Sequence, residues 1–418
     1  MYSRLTAVML LAGVVPRAIA AEPGFYLIER PSGATQGVVS AMTADGGITV
    51  GTNSNSSTPW YCRGFEWSVE EGRVEPQPEG LRVYSIFSGV SSDGLVISGE
   101  HQTSLTPSDR RAFVWNVGSP VVTLPLLAGY ARAGSQSVSG DGLVLTGYCE
   151  DNSIPRRLRA FRWTAAGGIQ SLPYASGSHN TSKPYAISRD GTTIVGESGS
   201  TGSGVIVGFA WTAGTGTVSL TAGGLTGGRA EGVNADGSVI VGLGHTATTE
   251  GAVYWDAQRQ PTFLGSVGTF RSRTAHCVSD DGQIIGGRAN TPTSGSDQGF
   301  IWTASGGMEF ARDYFADRGA PVPSGWRVAE CIAMSAGGRT IGGRAIHAAG
   351  GVLAYVAHLG PRCPADFNRD GGVDGGDVEA FFIAWEDSAS TADVNEDGGV
   401  DGGDVETFFH AWEAGGCG

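Results

Sequence analysis

The sequence predicts an all-β fold, a seven-bladed β-propeller, followed by a small α-helical module at the C-terminal end. Two observations carry this prediction. One unit recurs seven times between residues 37 and 359, and an acid-rich motif is duplicated within residues 363–418. The composition agrees, because 68 glycines and 16% charged residues suit a turn-dense β-protein better than a helical one.

An Asp-Gly turn marks each unit of the repeat. A small residue and then Val, Ile or Met precede the turn, and a β-branched run ending in glycine follows it, which is typical of a hairpin. An aromatic strand, a glycine-rich turn and a short fourth strand complete the unit. The turns lie at Asp45-Gly46, Asp93-Gly94, Asp141-Gly142, Asp190-Gly191, Asp236-Gly237, Asp281-Gly282 and, in a degenerate form, Gly337-Gly338.

Four short strands cannot bury both of their faces alone, so consecutive units must pack against one another. Radial packing of seven four-stranded units gives a β-propeller with seven blades. The seventh unit lacks its fourth strand. Residues 25–29 are predicted to supply that strand and close the ring.

The repeat also resembles a known family. Its elements A-V-S-x-D-G, I-V-G and A-F-x-W-T are similar to the extracellular repeats called the HAF family, over roughly residues 37–359. The seventh unit departs from the pattern, since it lacks both the Asp and the Trp. The resemblance implies an exported repeat domain and no known chemistry.

The first 21 residues have the layout of a secretory signal peptide. A short start with one Arg precedes an apolar run over residues 5–15 and the small-residue sequence Ala18-Ile19-Ala20. The run is too short to span a bilayer, and no later segment approaches about 18 unbroken apolar residues. We therefore expect a signal peptide at 1–21, a propeller at 22–360 and a tail module at 361–418. The mature protein should be secreted or held at the cell surface, with no membrane span.

The negative charge of the chain is concentrated in the tail. The formal net charge is −14, and residues 363–418 carry 14 acidic residues against one Arg, a net of −13, which leaves −1 for the rest. No basic stripe of the kind that nucleic acid requires remains. Nucleic acid is therefore not an expected partner.

Two 12-residue segments of the tail, beginning at Asp366 and Asp393, match position by position. Calcium takes six to eight oxygen ligands, and an EF-hand-type loop supplies them from positions 1, 3, 5, 7, 9 and 12, with glycine at position 6. Both segments satisfy every position. The predicted ligands of two Ca²⁺ ions are Asp366, Asn368, Asp370, Gly372, Asp374 and Asp377 in the first loop, and Asp393, Asn395, Asp397, Gly399, Asp401 and Asp404 in the second.

Apolar residues follow each loop at the spacing of one helical face. Two helices are therefore predicted to bury these faces against each other, and the module is small enough that its metal ions must help hold it together. The residues are Val378, Phe381, Phe382 and Trp385, then Val405, Phe408, Phe409 and Trp412.

Residues 363–418 resemble the type I dockerin, which has Asp at loop position 12, one helix per loop and a tandem duplication. The closing sequence 415–418 is similar to that of GC-type dockerin-anchored proteins. The resemblance implies a cohesin-like or surface-anchoring partner, often in systems that degrade polysaccharide. Loop positions 10 and 11 depart from the dockerin pattern, since they are Gly375-Gly376 and Gly402-Gly403 where dockerins usually carry the hydroxyl residues that contact cohesin.

Six cysteines allow 15 disulfide pairings in an exported protein, and the sequence does not choose among them. One pair is favoured, because Cys363 and Cys417 lie just outside the two ends of the tail module. Cys277 with Cys331 is a weaker second pair, and Cys62 with Cys149 would have to skip a blade.

The variable loops lie at the end of the blades opposite the Asp-Gly turns, and binding residues concentrate on such loops. Polar residues from two sets of loops should ring one mouth there. They are Glu100, His101, Glu150, Asp151, Glu197, His245, Arg288 and Arg344, joined by Arg271, Arg273, His276, Trp326, Arg327 and Glu330.

Two classes of function fit this mouth. The favoured one is a non-catalytic binding or scaffold propeller with a glycan or protein ligand, tethered through the calcium-dependent tail to an extracellular or cell-surface assembly. The alternative is a propeller enzyme, a glycoside hydrolase or lyase, in which carboxylates such as Glu100 and Glu197 do acid and base work. The repeated Asp is sufficiently explained by its turn and the blade Trp by packing, so neither is a predicted site.

Overall fold

The computed structural model describes residues 22–58, 61–81, 84–103, 109–290, 297–360, 364–365, 367, 373–389, 392–395 and 399–413. Within these residues the chain forms seven antiparallel sheets arranged as the blades of a β-propeller, as the repeat predicts. The tail is described separately below.

Each blade is a meander, and its innermost strand is the one that leads into the Asp-Gly or Gly-Gly turn. The strand β1 (Gly24–Ile28) belongs to the last blade. Blade 1 contains β2 (Gln36–Met42), β3 (Thr49–Ser54), β4 (Cys62–Ser68) and β5 (Gly72–Val74). Blade 2 contains β6 (Ser85–Val90), β7 (Val96–Gln102), β8 (Arg110–Asn116) and β9 (Val122–Thr123). Blade 3 contains β10 (Arg132–Val138), β11 (Val144–Glu150), β12 (Leu158–Thr164) and β13 (Gly168–Ser171).

The remaining blades follow the same order with one addition. Blade 4 contains β14 (Thr181–Ile187), β15 (Thr193–Gly199), β16 (Ile206–Thr212) and β17 (Gly216–Ser219). Blade 5 contains β18 (Gly227–Val233), β19 (Ile240–His245), β20 (Glu250–Trp255) and β21 (Pro261–Phe263). Blade 6 has five strands, β22 (Ser266–Val267), β23 (Phe270–Val278), β24 (Ile284–Asn290), β25 (Gln298–Thr303) and β26 (Gly307–Phe310). After helix α1 (Ala311–Ala316), blade 7 contains β27 (Trp326–Met334), β28 (Thr340–His347) and β29 (Val352–His358).

The N-terminal strand closes the ring. β1 pairs antiparallel with β29, from Gly24 opposite His358 to Ile28 opposite Ala354. Ile28 is 1% exposed, and the ring of Phe25 stacks on that of Tyr355 with centroids 4.9 Å apart. The predicted completion of the seventh blade by residues 25–29 is therefore confirmed, with the strand one residue earlier.

The glycine that ends each β-branched run is required by the aromatic strand beside it. In blade 3, Gly147 lies directly opposite Phe161, which is fully buried. A β-carbon at Gly147 would lie 2.2 Å from the carbonyl oxygen of Gly134 and 2.7 Å from Cζ of Phe161. The same pairing recurs between Gly51 and Phe65, Gly99 and Phe113, Gly196 and Phe209, Gly287 and Phe300, and Gly343 and Tyr355. In these six blades the glycine makes room for the ring that fills the blade core, whereas in blade 5 Gly242 lies opposite Val253.

The tail contains two helices, α2 (Gly375–Glu386) and α3 (Gly402–Glu413). Their apolar faces meet, since Phe381 and Phe408 are both fully buried and their rings stack with centroids 4.4 Å apart. Phe367 packs edge-on against Phe381 at 5.4 Å. The helical periodicity of the sequence thus corresponds to an aromatic core.

Candidate functional site: the propeller channel and its mouth

The seven innermost strands line a central cavity of about 480 Å³. Each of these strands contains a β-bulge near its turn, and the extra residue of that bulge lines the cavity. β23 and β27 contain a second bulge, at Arg273 and Ala329, and these two residues are not part of the lining. The bulged residues of the lining differ from blade to blade, although the backbone around them repeats. They are Ser40, Ser88, Gln136, Tyr185, Glu231, His276 and Ile332.

The Asp-Gly turns surround one end of this cavity and bind one another. The residue before each turn Asp takes part in a ring of hydrogen bonds that joins all seven blades. The links are Ala44 N–H to Ser92 O, Ser92 N–H to Gly140 O, Gly140 N–H to Arg189 O, Asp190 N–H to Ala235 O, Asn234 Nδ2 to Asp280 O, Asp280 N–H to Ala336 O, and Ala336 N–H to Ala44 O.

One side chain crosses the turn end of the cavity. Arg189 in blade 4 donates from Nε to Asp280 in blade 6, with Nε 2.9 Å from Oδ2. Its Nη1 donates to Ser92 Oγ in blade 2 at 3.2 Å. Because the three blades are not neighbours, the guanidinium bridges the opening. We name the end of the cavity that the Asp-Gly turns surround the turn end, and the opposite end the mouth.

The repeated Asp residues serve their own turns. In blade 2, Asp93 Oδ1 accepts from Ser91 Oγ at 2.6 Å and from the N–H of Leu95 at 3.0 Å. Burial raises the pKa of this carboxyl, but the two hydrogen bonds outweigh it and the pKa is lowered. The positive φ falls on the following glycine, at +75° for Gly94, and not on the Asp. The turn therefore explains the Asp, through its acceptor oxygen and not through tolerance of positive φ.

Two clusters of arginines and carboxylates lie at the mouth. Glu150 is the centre of the first, within 3.3 Å of Arg110, Arg132 and Arg156. Arg110 also reaches Glu100, with Nη1 3.1 Å from Oε1. Strands of blades 2 and 3 thus share one network of buried carboxylates whose charges are neutralised by arginines.

The second cluster lies in blades 6 and 7. Glu330 accepts from Arg344 at 2.7 Å and from Arg288 at 3.1 Å. Arg288 is also 3.7 Å from Asp297. Of the sequence-predicted residues, Glu330, Arg288 and Arg344 therefore pair with one another, whereas Glu100 and Glu150 pair with arginines that the sequence analysis did not name.

Between these clusters, blades 3 to 5 carry a third group around Lys183, the only lysine of the chain. Its Nζ lies 5.5 Å from the ring centroid of Tyr148 and 4.8 Å from that of Tyr185. Glu197 is directly opposite Lys183 on β15 and accepts a hydrogen bond from Tyr185. Burial lowers the pKa of Lys183, although the charges of Glu197, Glu231 and Glu100 oppose the shift.

Blade 5 and blade 6 complete this group. Glu231 is 2.5 Å from Arg229 Nε and 3.0 Å from Nδ1 of His276. Burial raises the pKa of Glu231, but the hydrogen bond and charge of His276, with Arg229 and Lys183, lower it overall. The pKa of Glu197 is raised, because burial outweighs the hydrogen bond from Tyr185 and the charges of Arg229 and Lys183. Two carboxyls of neighbouring blades thus shift in opposite directions.

Several residues predicted for the mouth have other surroundings. The ring of His101 packs edge-on against Phe113, and its Nε2 is 3.0 Å from Thr123 Oγ1. Asp151 caps its own loop by accepting from Ser153 and Arg157 N–H. The others pair locally: Arg273 with the exposed Glu250, Trp326 with His347, and Arg327 with the carbonyl of Asp297. Arg271 is exposed and His245 is partly buried at the end of β19.

Sequence reasoning missed the residues that contribute most to the Lys183 group. Tyr148, Lys183, Tyr185, Arg229 and Glu231 lie on strands and not on loops. A signal was present: the bulged residue stands three positions before the Ser, Thr or Asn of every turn, as in Tyr185-Ala186-Ile187-Ser188. The variation at that position distinguishes cavity residues from the repeated framework.

The tail residues predicted to bind calcium are described in part. Asp374 and Asp377 of the first loop and Asp393, Asn395, Gly399, Asp401 and Asp404 of the second are described, whereas Asp366, Asn368, Asp370, Gly372 and Asp397 lie outside the described residues. Among the residues that are described, no group of three or more His, Cys, Asp or Glu side chains is arranged as a metal site.

Loop positions 9 and 12 form the same N-terminal caps in both helices. Asp374 Oδ1 accepts from Gly376 N–H at 2.8 Å, and Asp377 Oδ2 accepts from Asp374 N–H at 2.9 Å. In the second loop, Asp404 is fully buried and accepts from the N–H groups of Val394, Asn395 and Asp401. These carboxylates therefore hold the loop backbone against the helix that follows.

The four described cysteines are free thiols. Cys277 and Cys331 are both buried on neighbouring inner strands, and Tyr355 Oη donates to Cys331 Sγ at 3.3 Å. The second predicted disulfide is therefore not formed, although both thiols belong to the same buried core cluster. Cys62 and Cys149 are free as well, and the favoured pair, Cys363 with Cys417, lies outside the described residues.

No family model matches the chain, and no curated protein matches it. Solved propellers are similar in fold. An oligogalacturonate lyase in complex with manganese matches with a TM-score of 0.50 and 11% identity, over 81% of this chain and 98% of that chain. The oligogalacturonate lyase from Vibrio parahaemolyticus matches with a TM-score of 0.51 and 9% identity, over 81% and 97%. TolB from Acinetobacter baumannii has a TM-score of 0.44 and 14% identity, and the match spans 63% of each chain.

At these identities the similarity shows the propeller fold alone. A separate finding concerns the membrane: no helix in the part of the chain that the structure describes is long and apolar enough to cross one.

Proposed function

We propose that this protein is an exported, non-catalytic binding propeller that receives a polyhydroxylated ligand at the mouth of its channel. The single observation that carries the proposal is the convergence of polar groups from four blades, blades 3 to 6, on one cavity. Tyr185, Glu231 and His276 line it, and Lys183 and Tyr148 flank it on the mouth side. A cavity of about 480 Å³ with few convergent polar groups is the usual form of a small-ligand site.

The direction of entry follows from the asymmetry of the channel. Arg189 and the ring of turn hydrogen bonds bridge the turn end, so a ligand enters through the mouth. Saccharides suit such a lining, because tyrosine rings pack against sugar faces while amide, hydroxyl and carboxylate groups bind sugar hydroxyls.

A glycan array with the mature chain tests this proposal. Tyr185→Ala should weaken binding of the recognised glycan more than about tenfold, since it removes an aromatic contact and a hydroxyl from the cavity. Arg73→Ala is the matched control, because Arg73 pairs with Glu75 on the outer edge of blade 1, away from the cavity. An array without any bound glycan, or equal binding by both variants, contradicts the proposal.

We further propose that the tail anchors the propeller to an extracellular or cell-surface partner and that two calcium ions stabilise it. The proposal is supported by the twelve matched loop positions and by the repeated arrangement of positions 9 and 12. Isothermal titration of the mature chain with calcium should give two sites. A pull-down with cohesin-bearing protein, in calcium and in chelator, tests the partner, and capture that is the same in both conditions contradicts it.

A specific observation supports the enzymatic alternative. Glu197 and Glu231 lie in adjacent blades, and their pKa values are shifted in opposite directions, as in acid and base pairs of glycoside hydrolases. Incubating the bound glycan with the native protein and with Glu197→Gln distinguishes the two functions. Cleavage by the native protein that the variant lacks would establish the hydrolase, whereas intact glycan with both proteins supports binding alone.

A further inference from the structure

Lys183 differs from the arginines of the two mouth clusters because no described residue pairs with it. Its Nζ makes no hydrogen bond and lies within 4.0 Å of no described carboxylate; its contacts are the rings of Tyr148 and Tyr185. Ring faces stabilise the positive charge, but they leave its three N–H donors without acceptors. A partly buried ammonium with unused donors favours an external acceptor.

The neighbouring carboxylates are engaged elsewhere. Glu231 is bound by Arg229 and His276, and Glu197 accepts from Tyr185. On the other side, Glu100 is bound by Arg110 and by the hydroxyl of Tyr84 at 3.2 Å. Charged groups of blades 2, 4 and 5 therefore act on the ammonium from a distance, but none of them forms an ion pair with it.

The polar lining beside Lys183 defines the rest of the ligand. On the side of blades 1 to 4, Tyr185 is two residues further along the same strand, and Gln136, Ser88 and Ser40 follow around the cavity. These groups exchange hydrogen bonds with hydroxyls and carry no charge at neutral pH. The charged lining residue Glu231 lies on the other side, in blade 5. Building on the proposed function, we propose that the ligand is an acidic saccharide whose uronic carboxylate binds Lys183 while its hydroxyls face the uncharged lining.

The inference predicts that affinity depends on one charge of the ligand and one charge of the protein. Trigalacturonate and its fully methyl-esterified form are suitable probes, because the ester keeps the sugar and removes the carboxylates. Lys183→Met should weaken binding of trigalacturonate about 10- to 100-fold, the range expected for one lost hydrogen bond to a charged group. Binding of the ester should change little, and Lys183→Arg should restore part of the affinity for the acid.

The single lysine permits a direct measurement on the native chain. Reductive methylation with ¹³C-formaldehyde labels Lys183 and the N-terminal amine alone, so one side-chain resonance reports the site. Trigalacturonate should shift that resonance and raise its titration midpoint, because a bound carboxylate favours the protonated amine. The ester should do neither. Thermal melts of all variants verify that they are folded.

The outcomes separate the inference from the function on which it rests. Equal binding of acid and ester, an unchanged affinity in Lys183→Met, or an unlabelled Lys183 overturns the inference and leaves saccharide binding intact. Acetate or inorganic phosphate that binds as tightly as trigalacturonate shows a free-anion site and overturns the saccharide assignment. A native protein that binds no saccharide on the array overturns the proposed function and the inference with it.

Discussion

The dipeptide Asp-Gly occurs in both the propeller and the tail, and the two regions use it differently. In a propeller turn one Asp oxygen accepts from the hydroxyl two residues earlier and from an N–H two residues later, as Asp93 does with Ser91 and Leu95. In the tail the acidic residues recur within a single loop. Asp401 and Asp404 there cap the helix that follows.

The residues around the Asp-Gly dipeptide, and not the dipeptide itself, therefore determine the role of the carboxylate in each region. A Ser two residues before the Asp supplies the partner that completes a hairpin turn. Four carboxylates within one 12-residue loop repel one another unless a cation lies between them. The propeller should therefore be indifferent to calcium, whereas the tail should depend on it.

The largest expected effect is the loss of the folded tail on removal of calcium. At free calcium 1,000-fold above its dissociation constant, binding stabilises a folded module by about 4 kcal/mol. In the full mature chain, Asp366→Ala with Asp393→Ala should therefore abolish calcium-dependent protection of residues 373–413 in limited proteolysis.

Asp93→Ala is the matched control for that experiment, because it removes an Asp-Gly carboxylate from the propeller alone. Its tail should respond to calcium as the native tail does. Identical cleavage of the native chain in calcium and in excess chelator would contradict the calcium assignment.

The next effect concerns closure of the propeller. Removing residues 22–30 deletes β1, including the buried Ile28 and the stacked Phe25, and leaves β29 as an open edge. Loss of one large buried side chain alone costs about 2 to 5 kcal/mol. The melting temperature of the propeller should fall sharply in calorimetry, both with and without calcium. An unchanged melting temperature would show that the ring does not need this strand.

A smaller effect is expected from a single turn. Asp93→Ala removes the acceptor of two hydrogen bonds at an exposed hairpin, which should cost about 1 kcal/mol. Asp93→Asn keeps an acceptor oxygen and should recover most of that loss. Chemical denaturation of both variants measures the difference. Equal stability of the Ala and Asn variants would mean that the carboxyl oxygen does not hold the turn.

The repeat predicted the fold well because its signals are local and occur in every blade. The glycine opposite Phe161 and the Asp of each turn follow from contacts within one blade, so the sequence alone predicts them. The closing strand, β1, was predicted because the seventh unit has only three strands of its own where the other units have four. The fifth strand of blade 6, Ser266–Val267, and the helix Ala311–Ala316 have no counterpart among the described residues of the other units, so the repeat does not predict them.

The candidate site was predicted less well, because its geometry depends on contacts between blades. Glu100 and Glu150 were named from loop position, but the guanidinium of Arg110 that joins them comes from a third strand. Lys183 and Tyr148 meet only because blades 3 and 4 pack side by side. A sequence pattern identifies variable positions, whereas the radial arrangement decides which of them share a cavity.

The smallest predicted effect is on a charge that, unlike the turn Asp, has no described hydrogen-bond partner. Burial lowers the pKa of Lys183, so the folded protein binds its proton less tightly than the unfolded chain does. Stability should consequently rise with pH between the folded-state pKa and the unfolded value of about 10.4. Below that interval the protonated amine destabilises the fold, and Lys183→Met should gain about 1 kcal/mol or less. The gain should shrink as pH rises through the interval, whereas Lys183→Arg should show no such dependence. Denaturation curves across the pH range measure this difference in stability between the Met variant and the native protein. A Met variant that is less stable than the native protein at every pH would show that the ammonium stabilises the fold, and would contradict its role as an unpaired ligand-binding group.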